Sequence, residues 1–390
     1  MLDPFDDFLV HQTADSVAVP ASGAPGVFDR YEFFGSDPAA TVLFGATLGL
    51  HPNLGVIDAA FSVVHAGVQY SLYASGRAPG ERRASKIDPI AVEVIEPFER
   101  LRVRVDPNDI GIAADLVFTA CSGSIAHTRR RAFGEFGLVA EEGGLTQWGH
   151  WAGTIQLPDS SHHGNSNDEG AGTTVLSINV DHWPADRVRR WGLTPLDHQP
   201  GAPALTLPQT FRLRATLRFD DGRFVLVDLE EGSTGHQRHA QAGQIRGNGM
   251  QEPLGSVRVS VDWQPGTRRP RAAVITFSDC DTHLTLHAFG QPFPLRGLGT
   301  THPHWARGTW RSEHAIGIEA VHLDTIEWTD LYFLHNRQCM HARWSDSTGA
   351  RGGVGAIELL ALGDHEPTGL RGFNDGAGIR SERTIRELQT

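Results

Sequence analysis

The chain has 390 residues, more than one hydrophobic core ordinarily serves, so two domains are expected. With 39% hydrophobic and 21% charged residues it has enough apolar surface to fold, and it holds no apolar run of the length a membrane-spanning helix needs. A formal net charge of -12 argues against a general affinity for nucleic-acid phosphates, and three cysteines (Cys121, Cys280, Cys339) without CxxC spacing argue against a disulfide scaffold or zinc knuckle.

The start of the chain, Met1-Leu2-Asp3-Pro4-Phe5-Asp6-Asp7, is acidic where a secretory leader is basic, which reads as a cytoplasmic protein. Beyond it, 44 glycines and 22 prolines leave few windows for a capped helix, while short alternating runs recur between turn residues. Phe61 to Tyr73 reads as an early pair of strands. In Leu101-Arg102-Val103-Arg104-Val105 apolar residues alternate with arginines, the pattern of a sheet with one buried face. Arg129-Arg130-Arg131 reads as a solvated turn or strand end, and Asp159 to Gly172 as a polar insertion without periodicity. The Pro- and Gly-rich run from Thr194 to Pro203 falls at the midpoint and marks a joint between domains 1–196 and 197–390.

In the second half, Asp221-Gly222 predicts a two-residue hairpin turn between Arg212–Phe219 and Phe224–Glu231. If Asp220 pairs with Arg223, then Leu217 faces Leu226, Ala215 faces Asp228 and Leu213 faces Glu230. Asp228 and Glu230 would then share an inner face with apolar neighbours, although the opposite face is partly apolar as well. Ser256 to Trp263 is a further alternating strand, and Ile316–Trp328 with Tyr332–Trp344 read as another pair. Glu358 alternates with Ile357 and Leu359, and a solvent-facing role or an interdomain ion pair is expected for it rather than catalysis. Ser381 to Gln389 reads as a short helix or a frayed tail. So many strands at short spacing indicate a sandwich or barrel.

Several blocks resemble a known family. Gly49-Leu50-His51-Pro52-Asn53-Leu54-Gly55, then Val94-Ile95-Glu96-Pro97 leading into Arg100-Leu101-Arg102-Val103, resemble the N-terminal half of the hydroxyneurosporene synthase group, which comprises the carotenoid 1,2-hydratase relatives and the AttH-type proteins. Gln147-Trp148-Gly149-His150-Trp151-Ala152-Gly153-Thr154, Asp186-Arg187 with Trp191-Gly192, and Gly353 to Glu358 with Gly363-Asp364-His365 resemble its later blocks, so the likeness covers roughly residues 30–373. It implies an all-β fold of two tandem lipocalin-like (calycin) antiparallel barrels with few short helices. It implies also cofactor-free acid/base chemistry, hydration, dehydration or cyclisation of an alkene, on a terpenoid- or carotenoid-like molecule.

Protonating an unactivated double bond takes a carboxylic acid kept protonated by burial, and aromatic faces that stabilise the cation. Asp186 is the first candidate for the acid; its structural alternative is a salt bridge with Arg187, Arg189 or Arg190. Asp181 beside His182 is the second candidate, because the spacing from Asp186-Arg187 to Trp191-Gly192 departs from the family pattern. His150 would orient the acid or relay its proton, or simply bond a backbone carbonyl. Trp148, Trp151, Trp183, Trp191 and Trp305, with Asp228 and Glu230, are the candidates for holding the ligand, core packing being the alternative for the tryptophans. No metal or cofactor is expected: His283 and His287 stand about 13 Å apart along a strand, too far to share an ion, and His302-Pro303-His304 before Trp305 reads equally well as a packed turn. Arg246-Gly247-Asn248-Gly249 and Cys121-Ser122-Gly123-Ser124 lack the contexts of a phosphate loop and a nucleophile elbow. The expected partner is therefore a hydrophobic small molecule and, at most, a second copy of the chain as a homodimer. The competing reading is a carrier that binds such a molecule unchanged.

Overall fold

Alternation of apolar and polar side chains becomes extended backbone along most of the chain. The computed structural model describes residues 4–9, 23–79, 85–109, 111–135, 137–158, 173–178, 183–193, 209–247, 249–278, 281–299 and 301–378. The insertion at 159–172, the joint at 194–203, Asp181 and the 381–389 segment lie outside them. Among the described residues every long element is a strand, and the helices are single 3-10 turns. None is long and apolar enough to cross a membrane. The protein is all-β, as its periodicity predicts.

The strands are β1 (Val27–Ser36), β2 (Val42–His51), β3 (Val56–His65), β4 (Val68–Arg77), β5 (Lys86–Ile87), β6 (Ile90–Glu96), β7 (Arg100–Val105), β8 (Ala113–Ala126), β9 (Arg130–Gly134), β10 (Gly137–Pro158), β11 (Thr173–Ile178) and β12 (Pro184–Leu193). They continue with β13 (Thr210–Phe219), β14 (Phe224–Glu231), β15 (Gln237–Ile245), β16 (Gln251–Pro253), β17 (Val257–Trp263), β18 (Pro270–Phe277), β19 (His283–Pro294), β20 (His314–His322), β21 (His335–Asp346) and β22 (Gly349–Leu362). Two compact units result, Met1–Gly201 with Arg307–Leu323, and Ala202–Ala306 with Asp324–Thr390.

The first unit is one antiparallel sheet in the order β20-β4-β3-β2-β1-β12-β10-β8-β7-β6-β5, with β9 and β11 also paired to β10. Phe33, Phe44, Phe61, Val103, Phe118 and Trp151, from six strands, meet in one core. A flat sheet could not bring β3 and β7 to a common core, so the sheet is curled into a nearly closed barrel. The Trp151 ring stands edge-on to Phe33, Phe44 and Phe118 at 5.7, 5.4 and 5.5 Å. Gly35 permits that packing, since a Cβ there would lie 2.6 Å from both Phe44 and Trp151.

Charged side chains fill one part of this interior. Asp7, in the 3-10 turn Pro4–Asp7, pairs with Arg187, and both are wholly buried. Arg187 Nε donates to Gln147 Oε1 at 2.8 Å, Gln147 donates to the Phe98 carbonyl, and the Phe98 N–H donates back to Asp7. Arg189 pairs with Asp29 at 2.7 Å and lies 4.2 Å over the Tyr31 ring. Every buried charge here has a partner, which is the condition for tolerating it.

The second unit is a nine-stranded antiparallel sheet in the order β16-β15-β14-β13-β22-β21-β19-β18-β17, around a core that includes Leu213, Leu217, Val227, Ile275, Met340 and Trp344. Its β13–β14 hairpin differs from the expectation by one residue. Arg218 pairs with Phe224, Leu217 with Val225 and Arg214 with Asp228. The turn holds three residues, Asp220 to Gly222, with Gly222 at φ 80 and Phe219 N–H bonded to the Arg223 carbonyl. That is the geometry of a type I turn followed by a left-handed glycine, which Asp-Gly satisfies as well as it satisfies a two-residue turn. A slip of one residue exchanges the faces. Val225, Val227 and Leu229 therefore point into the core, and Asp228 and Glu230 point away from it.

The Ile316–Trp328 and Tyr332–Trp344 segments also depart from expectation. Both contain strands, but β20 pairs β4 in the first unit, and β21 lies between β19 and β22 in the second. Alternation identifies a strand and one buried face; it carries no information about which edge the strand joins.

Candidate active site

The sheet of the first unit has an outer face, turned away from the apolar core, that is nonetheless buried and polar. Strand register sets its side chains in rows. Trp148 on β10, Asp186 on β12, Phe34 on β1, Gly45 on β2, Ser62 on β3 and Ser71 on β4 lie side by side. Two residues along follow Val188, Glu32, Thr47, Ala60 and Tyr73, and two further along Arg190, Arg30, Gly49, Asp58 and Ser75.

In the first row Asp186 is 7% exposed and sits between Phe34 and Trp148, themselves 3% and 4% exposed. The three arginines closest to it in sequence have partners of their own. Arg187 and Arg189 point to the opposite face and pair with Asp7 and Asp29. Arg190, about 13 Å along the strand, pairs with Glu142 at 3.1 Å and Glu32 at 3.6 Å. The core supports this row from behind, because the Trp151 indole N–H donates to the Phe34 carbonyl at 2.9 Å.

The third row holds a cluster that sequence reasoning missed. Arg30 is 6% exposed, lies 4.8 Å over the Phe28 ring, and has Glu32 at 3.8 Å. Glu32 also takes Arg307 at 3.1 Å. His51 Nε2 stands 3.2 Å from Asp58 Oδ2, and Asp58 also accepts the Gly308 N–H. Burial and the neighbouring Arg307 pull the Arg30 guanidinium down to about 9. Burial alone would push the Asp58 carboxyl up, but His51, the Gly308 N–H and Arg30 outweigh it and hold the carboxyl below its usual range. A signal was present: Arg30, Glu32 and Asp58 each interrupt a strongly apolar strand, and His51 lies in the 49–55 block.

The remaining candidates are dispersed. His150 lies on the same side of β10 as Trp148, opposite Pro184, on the diagonal from Asp186 at about 7–8 Å by sheet geometry. Trp151 is a core residue, and Trp183 packs at the core's edge, 6.3 Å from Phe44. Trp191 is buried with its ring 5.6 Å from the Arg189 guanidinium, on the other face from Asp186. The second unit holds Asp228, Glu230 and Trp305. Asp228 bonds Arg214 at 3.1 Å within a buried row of alternating charge, Asp228, Arg214, Glu358 and Arg337. Glu358 accepts from or faces His335 at 3.0 Å. Glu230 lies 4.0 Å from Arg238. Trp305 belongs to a packed turn in which its backbone N–H and that of His304 donate to His302 Nδ1. Among the described residues no three His, Cys, Asp or Glu side chains gather as a metal site would require. Thus Asp186 and Trp148, with His150 beside them, are the candidates that the fold brings together.

One family pattern covers almost the whole chain, matching residues 2–371. The chain belongs to DUF8625, a family of unknown function. No curated protein matches this DUF8625 member. Among solved structures, it resembles an AttH-like protein from Nitrosomonas europaea with TM-score 0.53 and 14% identity, over 89% of this chain and 99% of that one. Kievitone hydratase from Nectria haematococca gives 0.50 and 11%, over 91% and 97%. CghA with Sch210972 gives 0.51 and 9%, over 92% and 97%. At such identities the likeness establishes the fold: this DUF8625 chain has the AttH-type, lipocalin-like architecture.

Proposed function

We propose that the chain is a cofactor-independent acid/base enzyme that protonates an alkene of an apolar, terpenoid- or carotenoid-like molecule, so that water adds or a ring closes. The observation that carries this reading is the row Trp148–Asp186–Phe34, a buried carboxyl between two aromatic side chains on a polar face. In this reading Asp186 delivers the proton, the faces of Phe34 and Trp148 stabilise the cation, and His150 takes the proton released by the added water, or by the carbon beside the cation when a ring closes, and passes it back to the Asp186 carboxylate. Likeness to a hydratase makes hydration the first reaction to try. Asp228 is set aside because Arg214 compensates it.

The test incubates the purified chain with a panel of isoprenoid alkenes in deuterated water and follows each by mass spectrometry. Conversion should show deuteron incorporation with or without added water, and Asp186→Asn should abolish it while binding persists. Wild-type rates from Asp186→Asn would remove Asp186 as the acid. Tight retention of an unconverted molecule would favour the carrier.

A further inference from the structure

Two ends of one polar face differ in chemistry. Phe34 and Arg30 are four residues apart on β1, so the aromatic row and the Arg30 row are separated by about 13 Å, roughly the length of a small isoprenoid chain. We propose that Arg30, with His51 across Gly49, is the subsite for the head group of the substrate, and that this head is a singly charged oxygen acid, a carboxylate or an enolate. The proposal rests on the enzyme reading above and names the substrate class of that same face.

Three observations support it, all within the first unit. First, Arg30 has hydrogen-bond donors to offer: it is more than nine-tenths buried, yet its Nε and Nη1 make no hydrogen bond among the described residues. Burying such donors is costly unless an acceptor meets them. Second, Gly49 leaves bare backbone beside them. A Cβ there would stand 3.0 Å from Asp58 Oδ1, 3.3 Å from His51 Nε2 and 3.8 Å from Arg30 Cγ, so a larger residue would press on the groups beside Arg30. Third, the charges define the guest. Glu142 and Glu32 serve Arg190, Glu32 also serves Arg307, and Asp58 takes His51 and the Gly308 N–H. Glu32 is thus shared among three guanidiniums, and Arg30 has the weakest share, at 3.8 Å. A singly charged head can take the Arg30 donors; a diphosphate would bring more charge than one guanidinium offsets and would meet Glu32 and Asp58.

The experiment measures binding of farnesoic acid, farnesol and farnesyl diphosphate, which share a chain and differ in the head, by tryptophan fluorescence and calorimetry. The wild-type chain should bind the acid about tenfold or more tighter than the alcohol, the usual worth of hydrogen bonds to a charged group, and should not prefer the diphosphate. Arg30→Gln and Gly49→Ala should each reduce the acid to the affinity of the alcohol and leave the alcohol unchanged, while Asp186→Asn should keep the preference. Equal binding of acid and alcohol, a preference for the diphosphate, or a preference that survives Arg30→Gln would overturn the head-group assignment alone. Failure of all three probes would sink the apolar-substrate reading with it. Arg30→Met separates function from structure: Glu32 keeps Arg190 and Arg307, so this variant should melt at or above the wild-type temperature, and a clear fall would make Arg30 a structural ion-pair partner instead.

Discussion

Arg187 on β12 and Asp7, 180 residues earlier, are joined by a hydrogen-bonded ion pair with both side chains wholly buried. Removing one partner leaves a charge that the interior cannot solvate. Asp7→Ala should therefore cost about 3–5 kcal/mol, the usual cost of breaking a buried pair, measured by urea denaturation. The paired replacement Asp7→Leu with Arg187→Met should recover most of it. A loss below about 1 kcal/mol, the scale of exposed pairs, would mean that Pro4–Asp7 does not hold its place in solution.

Asp58 links stability to pH. Its carboxyl titrates below the ordinary value in the folded chain, so its stabilising contribution is complete above the unfolded value of about 3.9 and is lost as pH falls through the folded one. Asp58→Asn should be less stable than wild type at pH 7, and the two should converge in strongly acid solution. Denaturation midpoints across that range are the check. A difference that stays constant with pH would contradict the ion pair with His51.

Trp151 is a test of core against ligand. With its ring among Phe33, Phe44 and Phe118 and its N–H on the Phe34 carbonyl, Trp151→Ala should cost about 3–5 kcal/mol. A stable Trp151→Ala variant that had lost only ligand affinity would return this tryptophan to the binding site.

Gly222 decides the hairpin register. At φ 80 an alanine is strained by about 1–2 kcal/mol, and asparagine less. Comparing the melting of Gly222→Ala and Gly222→Asn measures this directly; indifference to both would contradict the three-residue turn.

The strands were legible because each has one apolar side: Leu101 to Val105 and Val257 to Trp263 appear where their alternation puts them. Asp186 was legible as a buried acid near aromatic residues, and its two flanking rings follow from register. What alternation could not supply was anything that depends on a partner strand. Asp221-Gly222 suits two turns that differ by one residue, which sent Asp228 and Glu230 to the wrong face. Arg30, His51 and Asp58 come from three strands and gather only through their register. The interruption of apolar strands by Arg30 and Asp58 was the trace they left in the sequence, since an uncompensated charge among residues like Tyr31, Phe33 and Ile57 demands a reason.

The late strand β20 bears on how the chain is made. Its backbone completes the ladder of β4, and nearby Ser75 donates to the Thr309 carbonyl across 234 residues. A nascent chain leaving the ribosome thus carries β4 with one side unzipped until that segment emerges. Through that interval the growing polypeptide depends on chaperones or on provisional pairing to guard the exposed rim. A gene fragment that stops before residue 307 would make this temporary hazard permanent.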